Sequence, residues 1–291
     1  MIQSIRKLAL GCLVAYGGAA ASAQGCDDPS VIRFASIPKS AGTEQPQILR
    51  PLMKELERVL QKRVEVVRTN SYAAVVEGLQ AGNVDLAELG PASYALLMER
   101  NPYVTAFAAL SDRKLGGSLE LGAYRSLLIV RADSGLKSIK DLKEKSLSLT
   151  DPLSTSGALI PMQAVQKLTG QSIEKYFGRV TYAGSHLRAI EALQKGLVSA
   201  AFVSSARLDE HRAQKSRSAI EIRVIWESPL IPNDPFVYRS NLCRPLVEKI
   251  RQVFFDASPA LQPMFEELGG RRFVPVSDAD YQAVRELMRT R

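Results

Sequence analysis

Three consecutive hydroxyl side chains, Ser154, Thr155 and Ser156, stand between an Asp-Pro turn (Asp151, Pro152) and Gly157, with an apolar helical pattern following them. Hydroxyls at a helix start satisfy orphan backbone N–H groups. The same end of a helix offers free N–H donors and the positive pole of its dipole, which together attract anions. One hydroxyl suffices for a cap. Three, beside a glycine that lets the backbone come close, can ring an oxyanion with donors. On this stretch alone two readings stay open, an ordinary cap with spare serines and an anion cradle.

The elements that position these residues follow from an internal repeat. Residues 64–89 align with residues 178–203 at a constant offset of 114, without a gap. Val66/Val180, Ser71/Ser185, Glu77/Glu191, Leu79/Leu193, Gln80/Gln194, Gly82/Gly196, Val84/Val198 and Ala87/Ala201 are identical pairs, and the same offset carries Pro38 onto Pro152 and Ser40 onto Ser154. Each half reads as strand, helix, strand, amphipathic helix closed by glycine, strand. That alternation predicts an α/β fold of two lobes, each a mostly parallel sheet flanked by helices, with ligand beyond the carboxyl ends of the strands. The β-rich segments 124–130 and 222–226 lie outside the repeat and are read as the crossings. Lobe 1 is then 24–123 plus 227–291, and lobe 2 is 124–226. Three helical patterns after residue 244 return the chain to lobe 1.

Facing lobes bring equivalent strand-end loops together. The loop with Lys39 and Ser40 meets residues 151–156, and the loop 90–93 meets Ser204 and Ser205. Tyr72 is the repeat counterpart of His186, each at the start of the helix after the second strand. The expected cleft therefore holds hydroxyls, one imidazole, one lysine and few carboxylates, a set suited to a small oxyanion. Ser154, Thr155, Ser156, His186, Tyr72, Lys39 and Ser204 are the candidate ligand contacts. Glu88, at a strand end, is read as pairing with Arg68 or Lys39 in preference to accepting a proton from the ligand.

The first 23 residues carry Arg6 and Lys7, an apolar stretch and an Ala21-Ser22-Ala23 cleavage signal. Cleavage after Ala23 leaves 268 of the 291 residues and takes the formal charge from +8 to +6. No later segment has the ~20 apolar residues that span a membrane. The basic residues are scattered, which with export argues against a nucleic-acid partner. Of three cysteines, Cys26 and Cys243 remain after cleavage, and an oxidising compartment favours a disulfide between them. No Cys/His spacing suggests a metal, and no cofactor motif is present. An enzyme would need a nucleophile–base pair. His186 among serines is a superficial match, but no acid orients the ring and no G-x-S-x-G elbow occurs.

The stretches 71–94, 124–157, 182–196 and 229–242 resemble the phosphonate/phosphite-binding family of periplasmic solute-binding proteins of ABC transporters, over nearly the whole mature chain. The resemblance implies a monomer that delivers a small phosphorus oxyanion (phosphonate, phosphite or phosphate) to an ABC transporter permease at the inner membrane. Some relatives sense arsenic oxyanions for a histidine kinase, which is the alternative. It also implies that Ser154, Thr155, Ser156 and His186 bind the phosphonyl oxygens, with Tyr72 and Tyr124 lining the pocket. Aminoalkylphosphonate binders of the family have an acid near the end of the strand after the histidine helix. Here residues 198–205 offer Ser199 and Ser204 instead. A ligand without an ammonium group is therefore expected.

Overall fold

The computed structural model describes residues 25–38, 45–100, 103–111, 121–213, 220–256 and 258–289; the expected signal segment and Lys39 and Ser40 lie outside them. The first lobe opens with β1 (Val31–Ser36), α1 (Gln45–Ile48), α2 (Arg50–Leu60), β2 (Arg63–Val66), α3 (Tyr72–Gln80), β3 (Leu86–Glu88), α4 (Pro91–Arg100) and β4 (Val104–Leu110). The short strand β5 (Ala123–Tyr124) crosses to the second lobe, β6 (Ser126–Arg131), β7 (Ser146–Leu149), a π-helical turn (Thr155–Leu159), α5 (Ile160–Thr169), α6 (Ile173–Tyr176), β8 (Arg179–Tyr182), α7 (His186–Gln194), β9 (Ala200–Ser204), α8 (Ser205–Ala213) and β10 (Ile222–Glu227). Strand β11 (Ile231–Pro232) crosses back to β12 (Phe236–Arg239), α9 (Arg244–Phe255), α10 (Gln262–Glu267), β13 (Phe273–Pro275) and α11 (Gln282–Arg289).

The two sheets run β13-β4-β12-β3-β1-β2 and β10-β6-β9-β7-β8. In the first, β1 to β4 share one direction and β12 and β13 oppose it. In the second, β7 to β10 share one direction and only β6 opposes it. Each sheet thus carries, at the same place, a reversed strand from beyond a crossing, β12 between β3 and β4 and β6 between β9 and β10, and the first sheet adds a second, β13, at its edge.

The crossings differ from the expectation. Residues 124–130 and 222–226 fall mostly in β6 and β10, which pair with each other inside the second sheet. The crossing is the two-stranded ribbon β5/β11, with Tyr124 opposite Ile231. The physical reason is burial. Leu128, Ile129 and Val130 have no exposure to solvent, which a strand bridging two lobes through water does not provide, whereas a central sheet position does.

The repeat is visible in the caps. Ser71 and Ser185 are the N-caps of α3 and α7, at φ −148° and −154°, and their side chains accept from the N–H groups of Ala74 and Arg188. Both helices run nine residues, and Gly82 and Gly196 both sit at φ 70° just beyond their ends, a conformation that favours glycine.

Helices α9 and α10 cover the outer face of the first sheet with α2, where Leu52, Leu56, Leu246, Ile250, Phe254 and Phe265 form one buried cluster. Glu55 is buried there on α2. Its carboxylate accepts from Arg58 at 2.8 and 2.9 Å and from the Ser258 hydroxyl at 2.7 Å. The Arg58 hydrogen bond pulls its pKa down to about 2, against the upward push of burial. A folded value below the ordinary 4.5 means that its contribution to stability is complete above that pH and is lost as pH falls toward 2. Glu55→Gln is expected to lower stability at pH 7 and to flatten the acid limb of the stability profile. Urea titrations at pH 7 and pH 3 check this; equal losses at both would contradict it.

The last helix packs against both lobes. Val284 and Met288 of α11 share a buried cluster with Ala92 and Ala95 of α4 and with Leu159 of the second lobe, with Met162 packed beside it. The Gln163 amide of α5 also donates to the Leu287 carbonyl.

Candidate functional site

The cleft closes around the loop 151–155. Its Asp151 carboxylate, buried at 5% exposure, accepts from the Tyr72 N–H at 3.2 Å and so caps α3 across the lobes. Thr155 Oγ1 accepts from the Ala92 N–H at 2.9 Å, in the first turn of α4, and the Ser93 hydroxyl donates to the Leu153 carbonyl at 3.2 Å. Leu153 packs against the first lobe's cluster of Ile37, Tyr72 and Leu89. The loop 90–93 therefore meets residues 153–155; the expectation had set it against Ser204 and Ser205. The positive ends of α3 and α4 both need acceptors, and loop 151–155 supplies them.

Behind this contact lies a cavity lined by Tyr72, Tyr124, Ser154, Thr155, His186 and Ser204, six of the residues singled out from the sequence. Ser156 is buried but does not line it; its carbonyl accepts from the Ser126 hydroxyl at 2.6 Å. The free space is small, about 40 Å³ measured at the centre of a water-sized sphere, or about three waters by that measure.

The cap reading of the hydroxyl row holds, twice over. Ser154 is an N-cap, its Oγ accepting from the Gly157 N–H at 3.1 Å. Thr155 caps α4 in the same way. A hydroxyl that accepts with a lone pair still has its own proton to donate. The two caps thus leave two O–H donors on the cavity wall.

His186 is held by its Nδ1. The Ser204 N–H donates to that atom at 3.1 Å, and the Thr150 hydroxyl lies 3.0 Å from it. A nitrogen that accepts from a backbone N–H carries no proton, so the proton of the neutral ring is on Nε2. The ring is a fixed, uncharged donor at the first turn of α7. Ser204 thus contributes its backbone to the histidine as well as its place on the wall.

Gly157 shows why the row ends in glycine. A Cβ there would land on the Thr150 side chain and within 2.9 Å of Ser154 Oγ. Gly157→Ala is expected to cost about 1–3 kcal/mol by overpacking and to weaken anion binding by displacing Thr150 from His186. Denaturant melts and calorimetry on one preparation test both halves. Unchanged affinity would separate Thr150 from the site.

The phenols stay protonated. Burial, then the charge of Asp234, raises the Tyr72 pKa, while the Ser154 hydroxyl lowers it. Burial, then Asp234 and Tyr72, raises Tyr124, with the Ser156 and Thr155 hydroxyls pulling the other way. Both are O–H donors across the physiological range.

The cavity also holds charges, of which the sequence reading weighed only Glu88. Glu88, Arg207, Asp234 and Arg271 line it. Glu88 accepts from the Ser36 hydroxyl at 2.8 Å. Arg207 pairs with Glu210 of its own helix at 2.6 Å and is about a quarter exposed, at 26%. Burial works to lower its pKa, and Glu210, Asp234 and Glu88 more than reverse that. Two carboxylates reach the wall, Glu88 at the end of β3 and Asp234 ahead of β12, in keeping with the few expected. Ser199 is corrected. It lies before the amino end of β9, bonded to Ser146 at 2.9 Å and 3.1 Å, at the opposite end of the strand from the cavity. One signal for Arg207 was available, because the repeat pairs it with Ser93, a cleft residue.

Comparison with known proteins agrees with this geometry. Residues 34–281 match the model of the family described as ABC transporter, phosphonate, periplasmic substrate-binding protein. The chain is 32% identical over 256 residues to the phosphonates-binding periplasmic protein of Escherichia coli, covering 84% of this chain and 73% of that one. It is 29% identical over 279 residues to the phosphate-import protein PhnD of Mycolicibacterium smegmatis, covering 89% and 85%. Among solved structures, a binding protein component of an ABC phosphonate transporter from Pseudomonas aeruginosa superposes with a TM-score of 0.80 at 27% identity, over 90% of this chain and 86% of the other. PhnD1 from Prochlorococcus marinus, in complex with methylphosphonate, shares the fold at a TM-score of 0.77 and 19% identity, over 90% and 98%. With two lobes and a family match across most of its length, the chain belongs to the periplasmic phosphonate-binding family of ABC transporter substrate-binding proteins.

Proposed function

We propose that the protein captures one small phosphorus oxyanion between its lobes and delivers it to a membrane permease of an ABC transporter. The observation that carries this reading is the His186 ring. Its Nδ1 is taken by the Ser204 N–H and the Thr150 hydroxyl, so the proton of the neutral ring is on Nε2. A ring fixed in that tautomer cannot accept a proton from a serine, which removes the general base that acyl transfer needs. It suits an oxyanion instead, beside the hydroxyls of Ser154, Thr155, Tyr72 and Tyr124. Lobe 1 comprises the segments on the outer sides of the β5/β11 ribbon, and lobe 2 the segment between them. Cleavage after Ala23 fits the periplasmic setting of the family.

Binding that bridges the lobes stabilises the closed form, because only that form engages donors on both sides. Phosphate, phosphite or methylphosphonate is expected to raise the melting temperature of the dialysed protein and to lower its radius of gyration in X-ray scattering. With the cognate permease in liposomes, liganded protein is expected to stimulate ATP hydrolysis. A thermal panel in which none of these anions shifts the melt would end the proposal.

A further inference from the structure

The hydroxyl row is tied to the crossings by one hydrogen bond that neither caps a helix nor lines the cavity. In the π-helical turn the Leu159 N–H donates to the Ser154 carbonyl and the Ile160 N–H to the Thr155 carbonyl. The next bond of that series would join residue 161 to the Ser156 carbonyl. Residue 161 is proline, which has no N–H to give. Ser156 is only 1% exposed, so water does not replace the missing donor. A buried carbonyl left bare is costly. The Ser126 hydroxyl takes the place instead, donating to that carbonyl at 2.6 Å.

Ser126 stands where both crossings enter lobe 2. It opens β6 directly after Tyr124 and Arg125. Its N–H donates to the Ser228 hydroxyl at 2.9 Å, and the Ser228 N–H donates back to the Ser126 carbonyl at 2.9 Å, shortly before the chain leaves through β11. Arg125 and Ser205 are bonded in both directions, at 3.0 and 2.9 Å. The sheet sets Ser126 opposite Ser204, whose N–H fixes the His186 ring. The root of the hinge thus reaches both donor groups of lobe 2, the row through Ser156 and the histidine through β9. Ser126 is fully buried and is not itself part of the cavity wall.

A bend at the crossings loads the nearest fixed bonds first. A hydroxyl at the hinge root that holds the turn carries the bend to Ser154 and Thr155 through a contiguous set of contacts. We propose that Ser126 is a positioning residue: its bond to the Ser156 carbonyl makes the bend of the crossings set the geometry of the anion donors, so that the cradle takes its binding shape as the lobes close. The proposal rests on the oxyanion-capture reading above and adds how capture is coupled to closure. A bland role for Ser126, as a partner for one buried carbonyl, makes a different prediction, because any other donor would then serve. Pro161→Ala supplies one, an N–H at the place from which the turn itself would bond Ser156.

Calorimetry and X-ray scattering on dialysed parent, Ser126→Ala and Ser126→Ala/Pro161→Ala, with phosphate, phosphite and methylphosphonate as separate titrants, test this; a circular-dichroism melt confirms that each variant is folded. Ser126→Ala is expected to lower the melting temperature by about 2–8 °C and to weaken binding at least about fivefold. At saturation its fall in radius of gyration is expected to be about half the parent's or less, whereas a site that is only weaker closes fully once filled. The double variant is expected to regain most of the melting temperature but neither the affinity nor the compaction. Recovery of all three in the double variant reduces Ser126 to a carbonyl partner and overturns the proposal. Parent-like affinity and compaction in Ser126→Ala overturn it as well. Both results leave oxyanion capture intact. A parent that binds none of the three anions overturns oxyanion capture itself, and the positioning role with it.

Discussion

Replacing Cys26 and Cys243 together with alanine is expected to lower the free energy of unfolding by about 2–5 kcal/mol. The two are bridged and stand 217 positions apart in the sequence. Closing so long a loop restricts the unfolded chain strongly, and the chain-entropy estimate lies near the top of that range, at about 5 kcal/mol. The folded state keeps other ties at the same place. The Asp27 N–H donates to the Asn241 carbonyl at 2.8 Å, the Cys243 N–H donates to the Asp27 carbonyl at 2.8 Å, and Arg239 pairs with the Asp27 carboxylate at 2.8 Å. These hold the native geometry in the variant, so the loss comes mainly through the unfolded state. Anion affinity is expected to stay unchanged. Guanidinium melts of oxidised, dithiothreitol-reduced and doubly substituted protein measure the effect. Two alkylatable thiols in protein taken from the periplasm would show that the bond does not form on export.

His186→Ala is the second large change. Removing one fixed donor to a buried anion costs about 1.5–3 kcal/mol, or ten- to a hundred-fold in affinity. The Ser204 N–H and the Thr150 hydroxyl lose their shared partner at the same time, so some stability goes with it. Thr150→Val is expected to cost only a few-fold, because Ser204 alone still fixes the tautomer. Ser154→Ala should match His186→Ala in affinity and also lose about 1 kcal/mol of stability, since the same oxygen caps the helix. A titration in which His186→Ala binds phosphate, phosphite and methylphosphonate like the parent would take the ring out of the site.

What was legible in the sequence was what local chemistry decides. Ser71 and Ser185 as caps, Gly82 and Gly196 as helix ends and the offset between them need only the backbone and a few neighbours. They fixed the start of α7 at His186 and the hydroxyl row at a cleft. The crossings were misplaced because a buried antiparallel strand and a linking strand have the same β-rich composition. Only pairing tells them apart, and β6 finds its partners β9 and β10 far along the chain. Arg207 was hidden for another reason. It stands just ahead of the charged run Asp209 to Arg212, where a solvated helix face is the natural reading, and its direction depends on how α8 meets the other lobe. Asp234 sits in a Pro-flanked turn whose place is set by the ribbon before it.

The seam made by Leu159, Met162, Val284 and Met288 lies outside the residues that line the cavity. Burying an apolar side chain of that size is worth about 1.5–3 kcal/mol, and the gain is the same with the pocket full or empty. Closure is therefore partly prepaid, and the empty molecule samples the shut shape in proportion. On the proposed delivery to a permease, one that recognises only the outer surface of the shut shape would meet vacant carriers as well as loaded ones. Vacant carriers would then compete with loaded ones for it, to a degree set by the apolar content of this last helix.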